Sequence, residues 1–103
     1  MAVSAPRPLA AVTGASSGIG LELARQFAQH GFDLVVAADE PRIAAAAREL
    51  DAAGPGAVEA VQVDLATPDG VAALHARIRA AGRPLDALAL NAGIGAGGPF
   101  ATG

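Results

Sequence analysis

Residues 13 to 20 read Thr13-Gly14-Ala15-Ser16-Ser17-Gly18-Ile19-Gly20, with three glycines in eight positions. The run before them, Leu9-Ala10-Ala11-Val12-Thr13, is short and apolar and ends at a glycine, as a buried strand does. After them Ile19, Leu23, Phe27 and Ala28 recur at helical spacing, with Glu22, Arg25, Gln26 and Gln29 between. Such a pattern is an amphipathic helix, and Gly31 is placed to end it. A strand that passes directly into a helix through a glycine-rich turn limits the chain to an α/β arrangement.

The strand–helix unit repeats, although no sequence repeats. Asp33 to Ala38 is a second apolar strand. Asp39-Glu40-Pro41 opens a second helix, proline suiting the first turn and acidic side chains the positive end of the dipole. Ile43, Ala46, Ala47 and Leu50 form its apolar face, and Gly54-Pro55-Gly56 ends it. Val58, Ala60, Val61 and Val63 make a third strand, closing at Asp64-Leu65. Thr67-Pro68-Asp69 then reads as an N-cap followed by proline at the first helical position. Val71, Leu74, Ile78 and Ala81 are the apolar face of the third helix, which Gly82-Arg83-Pro84 breaks. Leu85 to Leu90 is the fourth strand, ending at Asn91-Ala92-Gly93. The tail from Ile94 to Gly103 has no periodicity.

Apolar strands alternating with helices predict a parallel sheet covered on its faces, a three-layer αβα domain. In the doubly wound topology four such strands lie in the order 3-2-1-4. Ligands bind at the carboxyl ends of the strands where the order reverses, here between strands 1 and 4. Thr13-Gly14 and Asn91-Ala92-Gly93 are the tips of those two strands.

A pyrophosphate needs backbone N–H groups at close range with no Cβ in the way. Gly14 permits the tight turn, Gly18 the approach of the phosphates and Gly20 close packing of helix on strand. The helix N-terminus adds unpaired N–H donors and a positive dipole end, and Ser16 and Ser17 can add hydroxyls. The loop lacks the Lys-Ser/Thr ending of a P-loop, which argues against a triphosphate hydrolase. An acidic residue about 20 positions on would bind ribose hydroxyls, and Asp39 stands near that distance at the tip of strand two. It reads also as a helix-capping carboxylate before Pro41. Asp64, at the end of strand three, is placed either for an adenine edge or for a turn.

Together these residues resemble the N-terminal half of a short-chain dehydrogenase/reductase, a family of the Rossmann type. The family's Thr-Gly-x-x-x-Gly-x-Gly turn is Thr13 to Gly20, its Asp-Leu after strand three is Asp64-Leu65, and its Asn-Ala-Gly after strand four is Asn91-Ala92-Gly93. The resemblance spans nearly the whole chain. It implies that Gly14, Ser17, Gly18, Ile19 and Gly20 hold the pyrophosphate and ribose. Asp64 and Leu65 would frame the adenine, and Asn91, Ala92 and Gly93 would support the sheet and meet the nicotinamide-side ribose. The family's cofactor selector falls at or next to Asp39, at Ala38-Asp39, with Arg42 the nearest base. A carboxylate there opposes a 2′-phosphate, so NAD is expected over NADP.

Composition decides what the resemblance can mean. All seven basic residues are arginine, and Tyr, Cys and Trp are absent. The family's hydride transfer uses a Tyr, assisted by a Lys that lowers its pKa, and a Ser, all beyond strand four. No residue here takes those parts, and His30 and His75 fall on helices. No catalytic residue and no metal site is therefore expected. Three readings stand: the dinucleotide-binding part of an NAD(P)-dependent oxidoreductase of carbonyls and alcohols, a stand-alone nucleotide-binding module, and a half-enzyme completed by another chain.

Apolar residues are 52% of the chain, enough for a packed core. Alanine supplies most of them, so that core is thin for its residue count. A net charge of −3 with no basic cluster makes nucleic acid a poor partner. No segment has the length of a membrane span, and no signal peptide is legible at Met1 to Pro8; a cytoplasmic protein is expected. The edge of strand four is expected to be open, with marginal stability and self-association as consequences.

Overall fold

The computed structural model describes residues 7–90. The elements are β1 (Leu9–Thr13), α1 (Gly18–Gln29), β2 (Asp33–Ala38), α2 (Arg42–Ala53), β3 (Val58–Gln62), α3 (Pro68–Ala80) and β4 (Ala87–Ala89). The four strands form one parallel sheet in the order β3-β2-β1-β4. Asn91-Ala92-Gly93 and the tail lie outside the described residues. Strand four, expected over Leu85 to Leu90, pairs with β1 only from Ala87 to Ala89. Its first expected residue, Leu85, turns into the core instead.

The two-residue period of the strands sorts their side chains into two cores. Ala10, Val12, Leu34 and Val36 face one side, where Ala24 and Ala28 of α1 and Ile43, Ala46, Ala47 and Leu50 of α2 close on them. Leu9, Ala11, Val35, Ala37 and Val61 face the other, covered by Leu74 of α3 with Ile78 and Leu85 half-buried beside it. The three-layer arrangement is thus present, with two helices on one face and one on the other.

Two helices bury only part of the stripe that their periodicity predicts: Phe27 and Ala28 of α1 and Leu74 and Ile78 of α3 meet the cores. In α1 the buried residues are Gly20, Ala24 and Ala28, whereas Ile19 is 73% exposed and Leu23 is exposed as well. The i, i+4, i+8 row of small residues lets the helix axis approach the sheet, and Ile19 and Leu23 are turned aside. In α3 Leu74 is buried, but Val71 is 52% exposed and Ala81 is exposed. One short helix cannot close the second face to the width that the sequence pattern offers.

Helix ends follow the sequence closely at α3. Thr67 is its N-cap, its Oγ1 accepting the Gly70 N–H at 3.0 Å, and Pro68 follows. Gly31, with φ +84°, closes α1 by donating to the Ala28 carbonyl at 3.0 Å. At α2 the expectation is met by the proline, whose backbone is already helical, and not by the acidic residues. Pro41 takes the cap position, and no acidic residue lies in the first turn. Asp39 and Glu40 come before the helix, and Glu40 reaches elsewhere.

The N-terminal ends of the strands are tied through Asp33. Its Oδ1 accepts the Ala57 N–H at 2.8 Å ahead of β3. Its Oδ2 accepts from Arg83 Nη2 at 2.5 Å, and Arg83 Nη1 donates to the Arg7 carbonyl at 2.7 Å. Burial pushes the Asp33 carboxyl up, but Arg83, the Ala57 N–H and the charge of Arg7 outweigh it and hold it below its ordinary value. The folded state therefore binds this proton less readily than the unfolded chain. The stabilisation is complete above the ordinary carboxylate value and is lost as pH falls through the lower folded one. Thermal melts should show Tm falling across that acid window, and Asp33→Asn should flatten the fall. An equal fall in the variant would contradict this assignment.

Candidate cofactor-binding site

The strand order reverses at β1, which has β2 on one side and β4 on the other. Beyond the carboxyl end of β1 the chain turns through residues 14–17 into α1. Gly14 and Gly18 both have positive φ, +61° and +62°. A side chain in that region is strained, so the backbone itself demands glycine at these two places. A Cβ built on Gly18 meets no atom within 4 Å. Gly18 thus faces open space at the helix N-terminus, where the first N–H groups have no partner inside the helix. This combination of space, bare backbone and donors fits a pyrophosphate. Gly20, the third glycine, is buried on the sheet side of α1, the packing role that its spacing predicts.

The loop is held to β2. Ala15 is fully buried and its N–H donates to the Ala37 carbonyl at 3.2 Å. Ser16 is 7% exposed, and its Oγ donates to Glu40 Oε1 at 2.5 Å. Its hydroxyl is thus already engaged with a carboxylate. Ser17 is the extended N-cap residue of α1, and its side chain makes no capping bond. It stands exposed beside Gly18 and Ile19.

The other expected positions divide. Asp39 follows β2 directly and is exposed. Arg42 stands exposed at the first position of α2. Val63 prolongs the sheet by donating to the Ala38 carbonyl at 2.9 Å, which brings Asp64 to the same end of the sheet as the glycine loop. Asp64 itself builds a turn: Oδ1 accepts the Ala66 N–H at 2.9 Å, and its carbonyl accepts the Thr67 hydroxyl at 2.8 Å. Leu65 is half-buried against the second core, so it anchors this turn. The structure brings the tips of β1, β2 and β3 together, whereas Asn91, Ala92 and Gly93 lie outside the described residues.

Sequence reasoning passed over Glu40 as a site residue, because only the folded chain shows it joined to Ser16 across 24 positions. Among the described residues no group of three His, Asp or Glu side chains is placed to hold a metal ion. None of the described helices is long and apolar enough to cross a membrane.

Fold and loop define a dinucleotide-binding α/β domain. The chain belongs to the short chain dehydrogenase family, whose profile matches residues 8–103. It is similar to the L-sorbose reductase of Gluconobacter frateurii, solved with NADPH and L-sorbose: 41% identity and a TM-score of 0.82, covering 87% of this chain and 35% of that one. It is 41% identical over 95 residues to the uncharacterized oxidoreductase YohF of Escherichia coli, which covers 89% of this chain and 37% of the relative. It is 38% identical over 84 residues to protochlorophyllide reductase A of rice (Oryza sativa), which covers 81% and 22%. The chain thus spans well under half the length of these relatives.

Proposed function

We propose that this chain is the dinucleotide-binding part of an NAD(P)-dependent oxidoreductase that interconverts carbonyls and alcohols, and that it takes NAD in preference to NADP. The observation that carries the reading is the pair of positive-φ glycines, Gly14 and Gly18, at the tip of β1, with open space at Gly18. Gly14, Gly18 and the first N–H groups of α1 would hold the pyrophosphate, with Ser17 beside them. Ile19, a large apolar residue left exposed next to the loop, would pack on the bound molecule. Asp64, at the tip of β3, would border the adenine end. When bound, the nicotinamide ring gives or takes a hydride.

The preference for NAD rests on this chain's own residues. The L-sorbose reductase structure holds NADPH, but here β2 is followed by two carboxylates, Asp39 and Glu40. Negative charge at the adenosine ribose opposes a 2′-phosphate and accepts hydrogen bonds from free hydroxyls.

The 103 residues include no Tyr and no Lys, so the chain alone is expected to bind without turning over. Assays with NAD and a panel of alcohols, or NADH and ketones, followed by nicotinamide absorbance, should stay at background. Turnover would overturn the account of what these residues lack. NAD in about hundredfold excess over Kd should stabilise the fold by about 2.7 kcal/mol, seen as a rise in Tm.

A further inference from the structure

We propose that β4 is a movable wall of the crevice beside β1, and that the Asp33–Arg83 pair at the opposite end of the sheet is the clasp that holds it shut. Residues 83–90 swing off β1 while the other three strands stay folded. Closure of the crevice on a dinucleotide rests on the reading above; the opening of β4 does not. Among the described strands β4 is the least secured. It pairs with β1 at three positions, Ala87 to Ala89, whereas β1 with β2 and β2 with β3 each pair at five. None of its three residues is buried. Ala87 and Ala89 lend only methyl groups to the first core, and Leu85 is half-buried in the second. Leu88 and Leu90 are exposed. Small apolar areas hold weakly, and segments with few buried contacts open ahead of the rest. Gly82 supplies the hinge. Its φ is +71°, and outside its own chain neighbours nothing lies within 4 Å of its Cβ position. The chain can turn there without displacing another element.

The foot of β4 is held by polar bonds. Arg83 Nη2 donates to Asp33 Oδ2 at 2.5 Å, and Nη1 donates to the Arg7 carbonyl at 2.7 Å. In the order β2-β1-β4 this side chain runs from the lead into β4, past the lead into β1, to the first residue of β2. Asp33 is itself fixed by the Ala57 N–H ahead of β3, so the clasp fastens β4 to the part of the sheet that stays. Both side chains are largely shielded from solvent, and a shielded, charge-assisted pair holds better than a surface one. Asp86 adds a reciprocal pair with Leu9: its N–H donates to the Leu9 carbonyl and its Oδ2 accepts the Leu9 N–H, both at 2.8 Å. A ligand seated between the tips of β1 and β4 binds only the closed form. Its apparent affinity therefore falls with the fraction of chains that are closed, and a bound ligand in turn keeps β4 in place.

Hydrogen exchange of the full chain at neutral pH, followed by mass spectrometry, tests both parts. Amides of residues 83–90 should exchange faster than those of β2 and β3. Arg83→Gln, which removes the charge, should speed exchange in 83–90 at least about tenfold, and in β2 and β3 less than about threefold. Arg83→Lys, which keeps the charge without the forked donors, should fall between the two; it replaces Arg83→Gln if that variant does not fold. Equal acceleration in all strands makes the pair a general stabiliser and overturns the clasp, as does no acceleration in 83–90. Saturating NAD should slow exchange in 83–90 at least about tenfold. NAD that binds by calorimetry yet leaves 83–90 unprotected overturns the movable wall while the dinucleotide reading stands. Absence of binding overturns that reading, and the Arg83 variants then still decide the clasp.

Discussion

Gly70→Ala is expected to cost the chain much of its stability. A Cβ at Gly70 would stand 1.9 Å from the Asp64 carbonyl oxygen and 3.1 Å from Thr67 Oγ1. Neither neighbour is the far end of a flexible side chain. The Asp64 carbonyl already accepts the Thr67 hydroxyl, and Thr67 Oγ1 caps α3 through the Gly70 N–H. To admit one methyl group, the start of α3 must move away from the end of β3. That motion draws Leu74 out of the second core, where α3 is the covering helix. Overpacking of this kind costs about 1–3 kcal/mol or more, on top of the lost cap at about 1 kcal/mol. Small domains hold only about 5–15 kcal/mol in all, and a core built largely of alanine and valine places this one low in that range. Circular dichroism melts should show Tm lowered by more than about 10 °C, or no transition at all. Gly82→Ala is the control. Gly82 also has positive φ, +71°, but nothing lies within 4 Å of its Cβ position, so only the backbone strain of about 1–2 kcal/mol should appear. Equal losses in the two variants would contradict the close approach of α3 to Asp64.

The second large effect falls on binding. Gly18→Val should abolish dinucleotide affinity, weakening it at least about a hundredfold, while the chain still folds. Beyond its own chain neighbours and helix turn, no protein atom lies within 4 Å of a Gly18 Cβ, so the side chain projects into open space rather than into the core. The positive φ of +62° should cost a β-branched residue a few kcal/mol of local strain. The added methyl groups fill the approach to the N–H groups at the start of α1. Parallel melts and titrations separate the two effects. Binding unchanged in Gly18→Val would place the ligand elsewhere.

Much of this was legible because it depends on local chemistry. The glycine loop, the strand order and the Thr67-Pro68 start of α3 each follow from a backbone requirement that few residues meet. The buried faces of α1 and α3 were less so. Periodicity points to large apolar residues, but the Gly20-Ala24-Ala28 row allows a closer approach than Ile19 and Leu23 would, and closeness decides what is covered. The bonds from Ser16 to Glu40 and from Asp33 to Arg83 join positions 24 and 50 residues apart. Nothing in the local sequence distinguishes those carboxylates from surface charges. At Asp64, where the sequence left an adenine edge or a turn open, the fold shows the turn.

The most direct measurement is calorimetric titration of the 103-residue chain with NAD, repeated on Gly18→Val. The account predicts saturable heat with one site per chain for the wild type and none for the variant. No heat from the wild type with NAD or NADP at millimolar ligand would contradict it.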